Sequence, residues 1–158
     1  MNWQEVIEHP SLRNLPFKIE LNEYGAIVMN PVKLNHSYYQ GRISRLMESM
    51  RQDGIALPEF AIWTRKGTKV ADVAWVSLKL WKKLKGKTEA TIAPEVCVEV
   101  LSMSNSELEM KGKRKLYFER GAKEVWTCNE YGSINFYNSK RKISKSMLFP
   151  EFPNKIEI

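Results

Sequence analysis

The chain has 158 residues, of which 43% are hydrophobic and 11% aromatic. This length fits about one domain on the usual prior of roughly 100–200 residues per domain, and so much apolar content excludes wholesale disorder. Lysine and arginine number 25 against 18 acidic residues, a formal net charge of +7 that favours encounter with polyanions. We therefore predict a single domain over residues 1–158, with nucleic acid as the leading class of partner.

In chain order, apolar spacing and turn signals predict a helix at Trp3–Glu8, hairpin strands at 17–21 and 26–29, a helix at 35–51, strands at 60–64 and 68–76, a helix at 77–84, a strand at 94–101, a helix at 104–121, and strands at 124–128 and 133–137. Asn35 is the predicted N-cap of the second helix. The run at 94–101 is almost entirely apolar, which is typical of a central strand covered on both faces. The prediction is an α/β domain with a mixed central β-sheet flanked by the helices at 35–51 and 104–121. The tail beyond Lys140 has no informative pattern.

The cysteines and the apolar runs bear on the cellular compartment. Cys97 and Cys128 lie in apolar strand-like runs, without the His/Cys clustering of a zinc site, and are predicted to be buried reduced thiols. No run approaches the roughly 18 apolar residues that cross a bilayer, and the acidic N-terminus lacks the apolar core of a signal peptide. We predict a cytoplasmic protein with no membrane partner.

Two carboxylates interrupt strands that are otherwise apolar. Asp72 lies in a strand whose two faces are both apolar, and Glu99 lies between Cys97 and Leu101 on one face of the next predicted strand. Burying one unpaired carboxylate costs several kcal/mol, so each must be compensated. Three options remain open: pairing with lysine or arginine, exposure at a sheet edge, or a divalent metal held by both carboxylates.

A lysine on the following helix can join these acids. At 100° per residue, Met110 and Tyr117 fall close to Lys113 on the helical wheel, so Lys113 is predicted to point inward. An ordinary pair with Glu109 on the same helix is the alternative for this lysine. Two carboxylates and an ammonium on adjacent elements suit metal-assisted phosphodiester hydrolysis, in which carboxylates bind Mg²⁺ and the ammonium positions the nucleophile or neutralises phosphate. The carbonyl of Val100 is a further candidate metal ligand.

The remaining basic residues gather around these positions. Lysine and arginine are concentrated at 79–87, 111–115 and 140–145. On the helix of Lys113, three basic side chains point away from the inward arc and are predicted to form a solvated, phosphate-facing side: Lys111, Arg114 and Lys115. Such a surface would supply salt-sensitive affinity for a phosphate backbone.

Five blocks of sequence carry a family resemblance. They are the hairpin from Ile19 to Gly25, Asn35-His36 at the start of a helix, Val70-Ala71-Asp72-Val73, the run from Pro94 to Ser104, and Glu109-x-x-x-Lys113-x-x-x-Tyr117-x-x-x-Gly121-x-x-Glu124-x-Trp126. With these blocks the chain resembles, from residue 17 to residue 137, the Uma-type restriction endonuclease family of bacteria. That family is a branch of the PD-(D/E)XK nuclease superfamily. The resemblance implies a restriction-endonuclease-like fold and nuclease chemistry.

The resemblance also implies roles for individual residues. Asp72 and Glu99 match the two metal-binding acids. The superfamily often has a lysine two positions after the second acid, where this chain has Leu101, and members of this type supply a lysine from the next helix, which is Lys113 here. Ala71 stands where the family usually has proline.

Two further positions match the family near its site. Glu20 is counted among the candidate catalytic residues, although an exposed acid of the hairpin is an equally open interpretation. For His36, a surface or capping histidine is the alternative to a role in the site.

The predicted function is a Mg²⁺- or Mn²⁺-dependent endonuclease that hydrolyses DNA, with Lys113 orienting the attacking water. A homodimer is expected because cleavage of two strands calls for two sites. Two alternatives remain: a non-catalytic nucleic-acid-binding protein that retains the fold, and an oligomerising protein whose basic surface meets a protein partner.

Overall fold

The computed structural model describes all 158 residues and has four α-helices, a short 3₁₀ helix (Pro10–Leu12), a two-stranded hairpin and a six-stranded sheet. The helices are α1 (Trp3–Glu8), α2 (Leu34–Met50), α3 (Leu78–Leu84) and α4 (Glu107–Glu119). The strands are β1 (Phe17–Leu21), β2 (Ile27–Pro31), β3 (Gly54–Thr64), β4 (Gly67–Ser77), β5 (Val96–Val100), β6 (Glu124–Cys128), β7 (Ile134–Tyr137) and β8 (Lys142–Ile143). This is the predicted mixed α/β domain. No helix is both long enough and apolar enough to pass through a membrane.

The sheet has the strand order β3-β4-β5-β6-β7-β8 and is antiparallel except between β5 and β6. The crossover between these two parallel strands contains α4. β5 is an interior strand, buried at every position, as its apolar run predicts. β3 is an edge strand that starts at Gly54 rather than at the predicted residue 60, and Pro58 lies within it. Proline is tolerated there because an edge strand need not donate every backbone N–H to a ladder.

Of three apolar clusters, the two larger ones cover the two faces of the sheet. The larger packs α2 against the sheet through residues that include Ile43, Met47, Val73, Trp75 and Val98. The smaller lies beneath α4 and consists of Ile62, Ala71, Ala93, Cys97, Tyr117, Ala122 and Val125. Cys97 and Cys128 are both buried and unpaired, as predicted.

The C-terminal tail, which showed no pattern in the sequence, is part of the larger cluster. Phe149, Phe152 and Ile156 are buried in that cluster. Glu124 holds the tail in place, since its carboxylate accepts hydrogen bonds from Ser146 Oγ at 2.6 Å and from the Met147 amide at 2.8 Å. A buried polar anchor therefore fixes a segment whose apolar residues follow no regular period.

Two local predictions on α2 and α4 are wrong. Asn35 is not an N-cap, because α2 begins at Leu34 and Lys33 takes the cap position without a side-chain bond. Arg114 is not solvated: it is buried, with its guanidinium 3.9 Å from the centre of the Tyr137 ring. The aromatic ring of a neighbouring strand covers this part of α4, which helical periodicity alone does not indicate.

Candidate active site

The β4–β5 register brings the two predicted acids together. The antiparallel ladder pairs Val73 with Val98, and its continuation sets Asp72 opposite Glu99. No ladder pair forms at that position. Asp72 Oδ2 instead accepts a hydrogen bond from the Val100 amide at 2.8 Å. The strands therefore part at Asp72, and a side chain replaces the backbone ladder.

Strand β4 also lacks a partner on its other side at this residue. β3 pairs with β4 on either side of Glu59, but not at Glu59 itself, which has a φ of 52°. Gln40 of α2 fills the gap, because its Nε2 donates to the Asp72 carbonyl at 2.6 Å and to Glu59 Oε1 at 2.8 Å. Sequence reasoning missed both residues, since only the register shows that β4 is unpaired there.

Lys18 joins the two carboxylates. Its Nζ lies 3.1 Å from Asp72 Oδ1 and 2.9 Å from Glu99 Oε2, and its side chain is only 9% exposed. Asp72 Oδ1 and Glu99 Oε2 therefore lie close together, at a separation no greater than the sum of their two distances to Lys18 Nζ. Lysine pairing was one of the options open for the buried acids, but the sequence did not indicate this lysine. One signal in the sequence could have indicated it. Lys18 lies two residues before Glu20 in β1, so the two side chains share a face of that strand, and Glu20 was already a candidate site residue.

Lys113 points into the site, as the helical wheel predicts. Its Nζ lies 2.6 Å from Glu99 Oε1 and 2.8 Å from Glu20 Oε2. Glu109 is not its ion-pair partner in the structure. The ammonium therefore bridges a strand of the main sheet and a strand of the hairpin.

Glu20 and His36 both lie at this site. Glu20 is buried rather than exposed, and its Oε2 accepts a hydrogen bond from the Val70 amide at 2.7 Å. His36 Nε2 lies 3.3 Å from Asp72 Oδ1, while its buried Nδ1 has no hydrogen-bond partner. The hairpin and the start of α2 thus each bring a polar side chain to the carboxylate pair.

A tyrosine hydroxyl completes the surroundings of Glu99. Tyr117 is fully buried, and its hydroxyl donates to Glu99 Oε1 at 2.8 Å. The sequence placed Tyr117 on the core-facing side of α4 but did not predict this hydrogen bond. The available signal was the hydroxyl itself, because a buried tyrosine usually needs a hydrogen-bond partner.

The shared burial affects the ionisable groups differently. Burial raises the pKa of Glu99 above its usual value, and the ammonium groups of Lys113 and Lys18 oppose this only in part. For Asp72, burial also acts to raise the pKa, but Lys18, His36 and the Val100 amide together hold it well below its usual range. Burial acts to lower the pKa of Lys18, yet Glu99 and Asp72 outweigh burial and raise it well above its usual value. Asp72 and Lys18 are therefore charged at neutral pH, and Glu99 binds a proton more readily than Asp72.

The donors at this site fit a hard divalent cation. Two carboxylates converge on one cationic group, and Asp72 Oδ1 is buried without an aligned hydrogen bond. No three histidine, cysteine, aspartate or glutamate side chains form a ready cluster of metal ligands. Mg²⁺ commonly takes one or two carboxylates and keeps several waters, so two acids are sufficient protein ligands for it.

Comparison with known proteins identifies the family. The model of the Uma2 family, described as "Putative restriction endonuclease", matches residues 3–148. The chain belongs to the Uma2 family. This confirms the resemblance read from its sequence blocks.

Solved structures support the fold of this Uma2 chain. It is similar to a crystal structure described as a "putative nuclease belonging to DUF820" from Anabaena variabilis, at 15% identity and a TM-score of 0.75. The match covers 98% of the Uma2 chain and 94% of the other chain. The fold is restriction-endonuclease-like, as predicted. A search of curated proteins gave no match.

Proposed function

We propose that this Uma2 protein is a divalent-metal-dependent endonuclease that hydrolyses phosphodiester bonds in DNA. The observation that carries the proposal is the convergence of Asp72 and Glu99 on a single cation position beside Lys113. Family and fold support a nuclease. The metal, the DNA substrate and the role of the lysine are the proposed steps.

Asp72 and Glu99 would hold Mg²⁺ or Mn²⁺, with the Val100 carbonyl as the third candidate protein ligand. A metal bound there would lower the pKa of a coordinated water and stabilise the charge that develops on the phosphate. The Val100 amide fixes the orientation of Asp72, and the Tyr117 hydroxyl fixes that of Glu99. Both acids are therefore held in place before any ligand binds.

Lys113 would orient the attacking water or neutralise a phosphate oxygen. Its ammonium is held by Glu99 and by Glu20, whose carboxylate is itself fixed by the Val70 amide. An ammonium held from two sides keeps a defined position in the cleft, which is the requirement for orienting a nucleophile. Glu20 is thus a positioning residue in this proposal, and His36 acts in the same way on Asp72.

Basic grooves that continue from the cleft support a nucleic-acid substrate. The cleft shares Glu20 and Lys113 with an inner groove, whose basic residues include Arg65, Lys66, Lys69 and Lys115. Lys115 also lines an outer groove, whose other basic residues are Lys111, Arg114, Lys140, Arg141 and Lys142. No residue of the 79–87 segment lines the cleft or either groove. We propose that one phosphate backbone follows the two grooves, while α3 stays outside the substrate path.

Cleavage assays test the chemistry. Plasmid and single-stranded DNA would be incubated with Mg²⁺, with Mn²⁺ and with EDTA, using wild type, Asp72→Asn and Lys113→Met. We expect metal-dependent cleavage by wild type and its loss in both variants. A Lys83→Met variant on exposed α3 is the matched control and should cleave like wild type. Cleavage in EDTA, or equal cleavage by all four proteins, would overturn the proposal.

Binding measurements test the path of the substrate separately. Fluorescence anisotropy with labelled DNA in EDTA would compare a Lys66→Ala/Lys115→Ala pair with a Lys82→Ala/Lys83→Ala pair. We expect weaker binding and a shallower salt dependence only in the first pair, because only its lysines line the grooves. Equal losses in the two pairs would show that general surface charge, rather than the grooves, binds DNA.

One observation favours a second candidate function, a non-catalytic nucleic-acid-binding protein that retains the fold. Lys18 already neutralises both carboxylates without a metal. If the protein has this second function, the Asp72→Asn variant should still bind DNA in a salt-dependent way, and wild type should show no metal-dependent cleavage.

We also propose a homodimer as the form that cuts duplex DNA, because a pair of chains supplies one site for each strand. Sedimentation or light scattering with and without duplex DNA measures the oligomeric state. A monomer that cuts both strands at one locus would contradict this part of the proposal.

A further inference from the structure

Lys18 occupies the place between the two acids on which the metal proposal depends. Its Nζ contacts one oxygen of each carboxylate, at 3.1 Å for Asp72 and 2.9 Å for Glu99. The other oxygen of each carboxylate is already hydrogen-bonded: Asp72 Oδ2 accepts from the Val100 amide and Glu99 Oε1 accepts from the Tyr117 hydroxyl. Two Lys18 contacts therefore use the same ligand atoms that a shared cation would use.

Lys18 and a divalent cation cannot share those atoms. A Mg²⁺ ion binds its oxygens at about 2.1 Å, which would place it within a few ångströms of the ammonium. Charges of the same sign repel strongly at such a distance when they are shielded from water. The side chain is 9% exposed in its present position, so water does little to screen that repulsion.

The surroundings of Lys18 allow it to leave. Lys18 lines the same cleft as Asp72 and Glu99, so its side chain borders free space and is not packed against protein on every side. Its strand, β1, pairs only with β2 and is not part of the six-stranded sheet. The four-carbon stem of lysine lets the ammonium swing into the cleft without a change in this backbone pairing.

We propose that Lys18 is a displaceable internal counter-cation: it neutralises Asp72 and Glu99 before metal binding and must move out for a divalent ion to bind. This rests on the proposed metal site and adds that metal affinity is set by competition with a residue of the chain itself. It also assigns a role to a residue outside the family-matched acids and the helix lysine. In the displaced position, the ammonium faces the cleft into which a phosphate would enter.

Metal affinity in the absence of nucleic acid is the first test. Isothermal titration with Mn²⁺ would compare wild type, Lys18→Met and Lys69→Met. Lys69 is the matched control, because it is also partly buried near the site but donates to the Leu21 carbonyl rather than to either acid. We expect Lys18→Met to bind Mn²⁺ about tenfold more tightly than wild type, since it removes the competing charge, with a much smaller change for Lys69→Met.

Equal affinities for wild type and Lys18→Met would overturn the displacement while leaving the proposed metal site intact. Absence of Mn²⁺ binding in both proteins would overturn the displacement and the metal-dependent function together.

A second test uses the wild-type protein and does not depend on how Lys18→Met folds. Lysine acylation followed by mass spectrometry would give the modification rate of each amine with and without saturating Mg²⁺. We expect slow acylation at Lys18 without metal and a several-fold increase with Mg²⁺, relative to Lys69 in the same sample. Unchanged protection of Lys18 at a Mg²⁺ concentration that titration shows to be saturating would overturn the proposal.

Discussion

Asp72 and Glu99 stand opposite each other in the register of β4 and β5, yet no backbone ladder pair joins them. The ladder stops one residue earlier, and the Asp72 carboxylate accepts the Val100 amide in its place. Because the strands part there, both acids remain buried while their oxygens reach the ammonium groups of Lys18 and Lys113. The interruption of the sheet is therefore what creates the site.

Replacing Lys113 should destabilise the protein as well as abolish cleavage. Lys113→Met leaves the buried carboxylates of Glu99 and Glu20 without one of their cations, and breaking a buried ion pair on one side typically costs about 3–5 kcal/mol. The free energy of unfolding from urea denaturation measures this loss. Lys111→Met, an exposed neighbour on the same helix with no ion pair, should change it by much less. A similar loss in both variants would mean that Lys113 is not held as the structure describes.

Removing one hydroxyl should weaken the support of Glu99. Tyr117→Phe keeps the buried ring but deletes the 2.8 Å hydrogen bond to Glu99 Oε1. Lys113 still contacts that oxygen in the variant, so the expected cost is that of one hydrogen bond to a charged group, about 1.5–3 kcal/mol. Thermal and urea unfolding would be compared with Tyr131→Phe, whose side chain is exposed. If the two variants are equally stable, the Tyr117 hydroxyl does not support Glu99.

Acid should remove the stability that Asp72 contributes. The pKa of Asp72 in the folded state lies below its usual value of about 3.9. Its ionised form therefore stabilises the fold above that value, and the contribution is lost as pH falls through the folded-state pKa. The pKa of Glu20 is also lowered, because Lys113 and Lys18 outweigh the effect of its burial. The stability that ionised Glu20 contributes is therefore also lost as pH falls. Glu99 changes in the opposite direction, because its raised pKa favours the folded state at low pH and that contribution is lost as pH rises.

The free energy of unfolding between about pH 2.5 and pH 7 tests this sign for Asp72. Wild type should lose stability more steeply below about pH 4 than Asp72→Asn does, because the asparagine cannot titrate. Parallel curves for the two proteins would contradict the lowered pKa.

The anchor of the C-terminal tail can be tested independently of the site. Glu124→Gln places an amide NH₂ among donors, including Ser146 Oγ and the Met147 amide. We expect a loss of about 1.5–3 kcal/mol in the free energy of unfolding, the range for hydrogen bonds to a charged group. Limited proteolysis should also cut the tail faster. The control variant Glu151→Gln, at an exposed position of the same segment, should change neither the free energy of unfolding nor the rate of proteolysis. If Glu124→Gln also leaves both quantities unchanged, apolar packing alone holds the tail.

The two cysteines should be unreactive in the folded protein. Burial raises the pKa of Cys128 to about 12, and burial with the nearby Glu99 and Glu95 raises that of Cys97 well above its usual value. The thiolate is the reactive form, so a thiol reagent at about pH 8 should label neither residue in native protein and both in denaturant. Fast labelling of native protein would show that the buried thiols become exposed by local opening.

The two acids and the helix lysine could be predicted from the sequence because each breaks or follows a local pattern. Asp72 and Glu99 are charged residues in strands that are otherwise apolar, and Lys113 lies on the inward arc of a helix. Such patterns depend on residues within one element, so they survive without knowledge of packing. The hairpin, the central position of β5 and the course of α4 follow from the same local signals.

The partners of these residues could not be predicted in this way. Lys18 contacts Glu99 across 81 positions of sequence, and Gln40 contacts the Asp72 carbonyl across 32. Local periodicity predicts the face of the helix or strand on which a side chain lies. It does not predict which distant element packs against that face. The burial of the C-terminal tail could not be predicted for the same reason. The tail is held by hydrogen bonds to Glu124, a residue of a different element.

The sequence by itself determined the family, the α/β class and the acids that carry the proposed chemistry, because short-range patterning and characteristic blocks encode them. Only the tertiary structure decided that the sheet parts at Asp72 and that Lys18 sits between the acids. Strand register and the docking of the hairpin on the sheet are set by long-range packing, and the compensation of a buried charge depends on that packing.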